Sequence, residues 1–115
     1  MKRGDLVTVA LPGDYGKPRP AVVVQSDHLP QTDSVMVCLT TSTRRGLPLY
    51  RLAIEPAAAN GLRQPTEIMA DKVMSARRDK VGPVIGRLSD ADLLVLNRML
   101  AFALGLADPV PGTVS

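Results

Sequence analysis

Polar residues able to do chemistry frame the most apolar part of this chain. Arg19, in Lys17-Pro18-Arg19-Pro20, leads into the run Ala21-Val22-Val23-Val24-Gln25, and Thr40-Thr41-Ser42 ends the run Ser34-Val35-Met36-Val37-Cys38-Leu39. A guanidinium and a hydroxyl at the ends of two buried strands would stand on a rigid platform facing a surface. Such a set suits phosphodiester cleavage in RNA, which carries its own nucleophile in the 2′-hydroxyl. The protein has to remove that proton, neutralise the crowded charge on phosphorus and protonate the leaving 5′-oxygen. An arginine fork serves the charge, hydroxyls orient the phosphate and a carboxylate can take the proton. Taken alone, a solvated loop cation and a turn-forming threonine are the commoner occupants of such positions. By themselves the residues define only a small basic β domain.

Other chemistries have little to work with. One histidine, His28, and one cysteine, Cys38, do not make a zinc constellation, no phosphate-cradling glycine loop is present, and a Ser-His-Asp triad exists on paper only. No metal or cofactor is expected. Cys38 lies in an apolar strand, where a thiol is an inert core residue more often than a nucleophile. Residues 1–88 hold thirteen of the fourteen basic and eight of the eleven acidic residues, a local balance of +5 within a net charge of +3. Ten of the basic residues are arginine, which favours forked recognition of phosphate; plain solubility is the competing explanation. The aromatic residues are Tyr15, Tyr50 and Phe102, too few for a sheet that stacks successive bases.

The elements that must position these groups follow from the pattern. At 115 residues the chain is about one domain, expected over 1–108 with a loose tail over 109–115. Loose alternation predicts a first strand over Asp5 to Ala10. The second and third are expected over Ala21 to Gln25 and Ser34 to Leu39, a fourth over Tyr50 to Ile54, and a fifth from Thr66 to Ala70 or Val73. Met74 to Lys80 reads as a charged turn, and Val81 to Leu88 as a last short strand. The proline- and glycine-rich segment from Leu11 to Pro20 is loop chemistry. Ser89 is a good N-cap for one helix running to Leu104 and stopping at Gly105. Its apolar surface is wider than one stripe, so it calls for the sheet on one side and a partner subunit on another. Short strands between turn signals predict a small barrel or compact sheet that is mainly β with a C-terminal helix. The N-terminus has no apolar signal segment, and a cytoplasmic location is expected.

Four short pieces, in order and spacing, carry a resemblance. Lys2-Arg3-Gly4-Asp5-Leu6-Val7, the stretch from Arg19 to Asp27, Val37-Cys38-Leu39-Thr40-Thr41-Ser42 and Gly86-Arg87-Leu88-Ser89 together resemble the MazF/PemK toxins of bacterial toxin–antitoxin pairs. The resemblance implies an SH3-like small barrel of the MazF/CcdB type and a homodimer. It also implies a metal-independent endoribonuclease that cuts single-stranded mRNA at short sequences and leaves a 2′,3′-cyclic phosphate. Arg19 matches the catalytic arginine of that family and Thr40 its catalytic threonine. Asp71 falls where some members have a carboxylate proposed as the base; its plainer role is pairing with Lys72 or Arg78. Relatives commonly read D-Q-I-R-T where this chain has Asp71-Lys72-Val73-Met74-Ser75. Lys17, Thr41, Ser42, Arg44, Arg45 and Lys72 are the candidate RNA contacts, with Gly13 to Pro18 as a flap over the substrate. The expected partner is an antitoxin with an acidic, disordered tail. The barrel also resembles CcdB, a gyrase poison, but that protein ends in Trp-Gly-Ile and this chain has no tryptophan. A non-catalytic module that binds RNA or antitoxin is the third alternative.

Overall fold

A computed structural model describes residues 1–11 and 17–112. Most of the expected flap and the last three residues of the expected tail lie outside the described residues. Six strands and one long helix follow in the order β1 (Asp5–Ala10), β2 (Pro18–Val23), β3 (Ser34–Thr41), β4 (Arg51–Ile54), β5 (Thr66–Arg77), β6 (Val81–Arg87) and α1 (Asp90–Ala103). A single turn of 3₁₀ helix, Arg78–Lys80, joins β5 to β6. The sheet is antiparallel throughout, with strand order β4-β5-β3-β2-β1-β6.

Ala21, Val22 and Val23 of β2 are buried on both faces, as continuous rather than alternating hydrophobicity requires, and so are Val37 and Cys38 of β3, while Met36 is exposed. Leu6, Val22, Cys38 and Ile68 face α1 and join its Leu96, Met99 and Leu100 in one cluster. Val7, Val9, Ala21, Val23, Val35, Val37 and Ala76 form the second cluster on the other face. In β1, β2 and β3 the two clusters take alternate residues of the strand. On the second face Val9, Ala10 and Leu11 of the β1 end and Met74 to Arg77 of β5 line one hollow of about 440 Å³. Two strands separate β1 from β5 in the sheet, so the sheet must curl to bring them together.

The curl does not become a closed barrel. Among the described residues the edge strands β4 and β6 share no ladder. A backbone hydrogen bond of 2.8 Å from the Arg87 N–H to the Ala59 carbonyl ties the turn after β4 to β6 instead.

Several strand ends differ from expectation: β2 stops at Val23 rather than Gln25, β3 runs on to Thr41 rather than Leu39, and β4 and β6 are each one residue shorter. β5 continues through the predicted charged turn to Arg77, because residues 73–77 pair with residues 34–38 of β3 and place Met74 and Ala76 in the second cluster. Long-range pairing overrides the local charge pattern there. β2 starts at Pro18 rather than Ala21, which takes Arg19 out of the loop and into a strand.

Both helix ends follow the expected capping chemistry. Ser89 Oγ accepts from the Asp92 N–H at 3.1 Å. At the other end Gly105 has φ 68°, its N–H donates to the Phe102 carbonyl, and the Leu106 N–H donates to the Ala101 carbonyl, the paired bonds of a Schellman motif. The expected excess apolar surface is real: Leu94 and Phe102 are more than half exposed. No helix among the described residues is long and apolar enough to cross a membrane.

Candidate active site

The first residues of β2 are paired on one side only. Pro18, Arg19 and Pro20 lie opposite Ala10, Val9 and Thr8 of β1, whereas pairing with β3 begins at Ala21, opposite Leu39. Prolines are tolerated in such a strand because no ladder needs their missing N–H. The end of β3 turns into this unpaired corner, and Thr40 Oγ1 donates to the Pro20 carbonyl at 2.7 Å. Arg19, Pro20, Leu39, Thr40 and Thr41 thereby share a cleft of about 280 Å³ with Val9, Leu11 and Met69. Val9 belongs to the second core cluster and Leu11 and Leu39 pack against it, so the polar groups stand on packed strands. A cation and two hydroxyls on an apolar floor can hold a phosphate and stabilise charge that develops on it.

Asp71 comes from a different place. The β3–β5 register runs from Cys38 opposite Val73 directly to Thr40 opposite Ile68, so residues 69–72 bulge against the single residue Leu39. Met69, at one end of the bulge, reaches the cleft, but Asp71 and Lys72 point their exposed side chains elsewhere and do not line it. The Asp71 carboxylate is gripped by Arg51 of β4, with Nε donating to Oδ1 at 2.9 Å and Nη2 to Oδ2 at 3.2 Å. The partner is therefore Arg51, rather than Lys72 or Arg78; Arg78 Nε donates instead to the Thr32 carbonyl. The Arg51 hydrogen bonds hold the Asp71 carboxyl below the usual range and raise the Arg51 guanidinium in turn.

The remaining candidate contacts lie around the β3–β4 loop and β2. Lys17 is exposed at the foot of β2. Thr41 Oγ1 accepts from the Thr43 N–H at 3.1 Å, bending the loop as it leaves the cleft. Ser42, Arg44 and Arg45 are exposed on that loop. Arg44 pairs with Glu55 at 2.8 Å, both partly in solvent. Cys38 is fully buried, and burial pushes its thiol up to about 12, the behaviour of a core residue.

Two charged residues at this end of the sheet escaped the pattern reading. Arg51 and Glu67 sit inside strands with side chains only 10% and 3% exposed. The signal was available: a carboxylate between Thr66 and Ile68 in a buried strand must find donors, and an arginine in the neighbouring strand is a natural source.

Comparison with known proteins agrees with this architecture. Residues 2–104 match the family model described as PemK-like, MazF-like toxin of type II toxin-antitoxin system. The chain is 40% identical over 108 residues to a probable endoribonuclease MazF of Mycolicibacterium smegmatis, covering 93% of this chain and 99% of that protein. A solved structure titled as an endoribonuclease in complex with its cognate antitoxin, from a mycobacterial species, superposes with a TM-score of 0.75 at 27% identity. That match covers 96% of this chain and 99% of the other. The Mycobacterium tuberculosis toxin MazF-mt6 shares the fold, with a TM-score of 0.75 at 24% identity over 88% of this chain and 96% of that one. The chain belongs to the PemK-like, MazF-like family of type II toxins.

Proposed function

We propose that this protein is the toxin of a toxin–antitoxin pair and an endoribonuclease that cleaves single-stranded mRNA through the 2′-hydroxyl, without a metal ion, leaving a 2′,3′-cyclic phosphate. The observation that carries this reading is the cleft itself, where Arg19 and Thr40, far apart in sequence, meet on one rigid floor. Arg19 offsets the charge that builds on phosphorus, and the Thr40 and Thr41 hydroxyls orient the phosphate. Lys17, Ser42, Arg44 and Arg45 contact the RNA backbone around it, and Lys72 contacts RNA beyond the cleft. The reading places the protein in the cytoplasm as a homodimer, neutralised by a cognate antitoxin with an acidic, disordered tail. Its support is the identity to a probable endoribonuclease, a structural relative titled as bound to its antitoxin, and the exposed apolar surface of α1.

Purified protein is expected to cut single-stranded RNA at an unchanged rate when EDTA replaces divalent cations, and the new 3′ ends should carry cyclic phosphate. Absence of cleavage on any RNA, or cleavage only with added metal, would overturn the reading.

For Asp71 the bidentate pair favours holding Arg51 over accepting a proton, because a carboxylate kept below its usual pKa is a weak base. Its folded-state pKa lies below the unfolded value of about 3.9, so the pair's stabilisation is present above that pH and disappears as pH falls through the folded value. Asp71→Asn is expected to lower stability at pH 7 by less than about 1 kcal/mol, a difference that shrinks below about pH 4 in urea titrations. Cleavage should stay within about tenfold of wild type; a loss of about a hundredfold or more would make Asp71 the proton acceptor.

A further inference from the structure

Glu67 is the second residue of β5, with Thr41 of β3 on one side and Ala53 of β4 on the other. It is 2% exposed. Its Oε2 accepts two backbone hydrogen bonds from the β3–β4 loop, from the Arg45 N–H at 2.9 Å and the Gly46 N–H at 3.0 Å. Its Oε1 has no hydrogen-bond partner among the described residues and stands 4.0 Å from Arg51 Nη1, whose guanidinium is already committed to Asp71. A valine would fill a buried strand position without needing donors. A carboxylate there is tolerable only while the loop amides reach it, so the loop conformation and the buried charge depend on one another.

We infer that Glu67 is a positioning residue. Resting on the reading of the cleft as an RNA-cleaving site, it clamps the loop of residues 42–47 so that Arg44 and Arg45 are presented to the RNA backbone beside Thr41. Both ends of the short arc are tied, at Thr43 to the Thr41 hydroxyl and at Arg45 and Gly46 to Glu67. A loop ordered in advance spares the substrate the entropy of ordering it, so the benefit falls on binding rather than on the chemical step. Arg51, held by Asp71 from the far side, supplies the positive charge nearest the unpartnered oxygen.

The test compares Glu67→Ala with Glu67→Gln, whose side-chain carbonyl can accept the same two N–H groups. Two quantities are measured in the full chain: steady-state cleavage of a single-stranded RNA oligonucleotide, and amide hydrogen exchange at Arg45 and Gly46. Glu67→Ala is expected to raise KM about tenfold with kcat within threefold, and to speed exchange at both amides at least tenfold. Glu67→Gln should restore both to near wild type. Unchanged KM, unchanged exchange, or a kcat loss as large as that of Arg19→Ala would overturn the inference. If Glu67→Ala does not fold, Arg45→Ala serves in its place. A KM raised several-fold at constant kcat supports presentation by the loop, and an unchanged KM overturns it. Wild-type protein that cleaves no RNA overturns the functional reading, while the exchange data still decide the clamp.

Discussion

Replacing Arg19 by alanine is expected to lower kcat on single-stranded RNA by about 10²- to 10³-fold, the usual cost of removing one preorganised donor from a site where charge develops. Thr40→Ala should fall in the same range, and Thr40→Ser, which keeps the hydroxyl, should recover most of the activity. Arg19→Lys keeps the charge but loses the fork, so it should remain well below wild type. Neither alanine variant should unfold the protein. Arg19 is exposed at the one-sided start of β2, and its removal takes nothing from either apolar cluster. Thr40→Ala gives up one hydrogen bond to the Pro20 carbonyl, worth about 1 kcal/mol. Single-turnover kinetics with thermal melts on the same samples separate the two effects. Full activity in both alanine variants would remove the cleft from the mechanism. Loss of activity matched by loss of folding would show the residues to be structural.

These expectations depend on a position the sequence located only in part. The types and order of Arg19 and Thr40 were legible because each stands at the end of a strongly apolar run, and such runs are the clearest strand signal a sequence carries. Their meeting was not. It depends on β2 starting at Pro18, on the side of β3 from which pairing begins only at Ala21, and on the Thr40 hydroxyl finding the Pro20 carbonyl. Those are tertiary facts with no local pattern. The long bulge at residues 69–72 was hidden for a related reason. The pattern reads as a strand from Thr66 to Ala70 or Val73 followed by a charged turn from Met74 to Lys80, and only the common partner β3 makes residues 66–77 one strand. Arg51 and Glu67 were missed because pattern reading treats a charge as a surface marker. Here the carboxylate is buried, with loop amides that come from 22 and 21 residues away in the chain as its donors. The helix was easier, since its caps are local chemistry: Ser89 and Gly105 act as their positions imply.

The open sheet makes a second strong expectation. Because β4 and β6 share no ladder among the described residues, the gap between the edges is bridged by the turn after β4, and the contact there is backbone against backbone. Asn60 is buried and organises that turn, accepting from the Ala57 and Leu62 N–H groups through Oδ1 and donating to the Glu55 carbonyl through Nδ2. Gly61 follows with φ 70°, and a Cβ added to it would lie 2.0 Å from the Ile85 carbonyl oxygen of β6. Gly61→Ala therefore meets two penalties. The left-handed conformation costs about 1–2 kcal/mol in a residue with a Cβ, and relieving the overlap by moving backbone costs about 1–3 more. A total of about 2–5 kcal/mol is a large share of the roughly 5–15 kcal/mol that holds a domain of this size. The melting temperature should fall by about 10 °C or more. Gly46→Ala is the control: its φ is 65° but none of the described residues lies within 4 Å of the added carbon, so only the conformational cost applies. Equal losses in the two variants would mean that the turn and β6 separate at little cost. A much larger loss at Gly61 would make this contact the closure of the curled sheet, with a consequence for the cleft. Val9, Leu11 and Arg19 reach the cleft from the half of the sheet that holds β6, and Leu39, Thr40 and Met69 from the half that holds β4. Loosening the closure should then weaken RNA cleavage at temperatures below the melt, where β2 and β3 are each still intact.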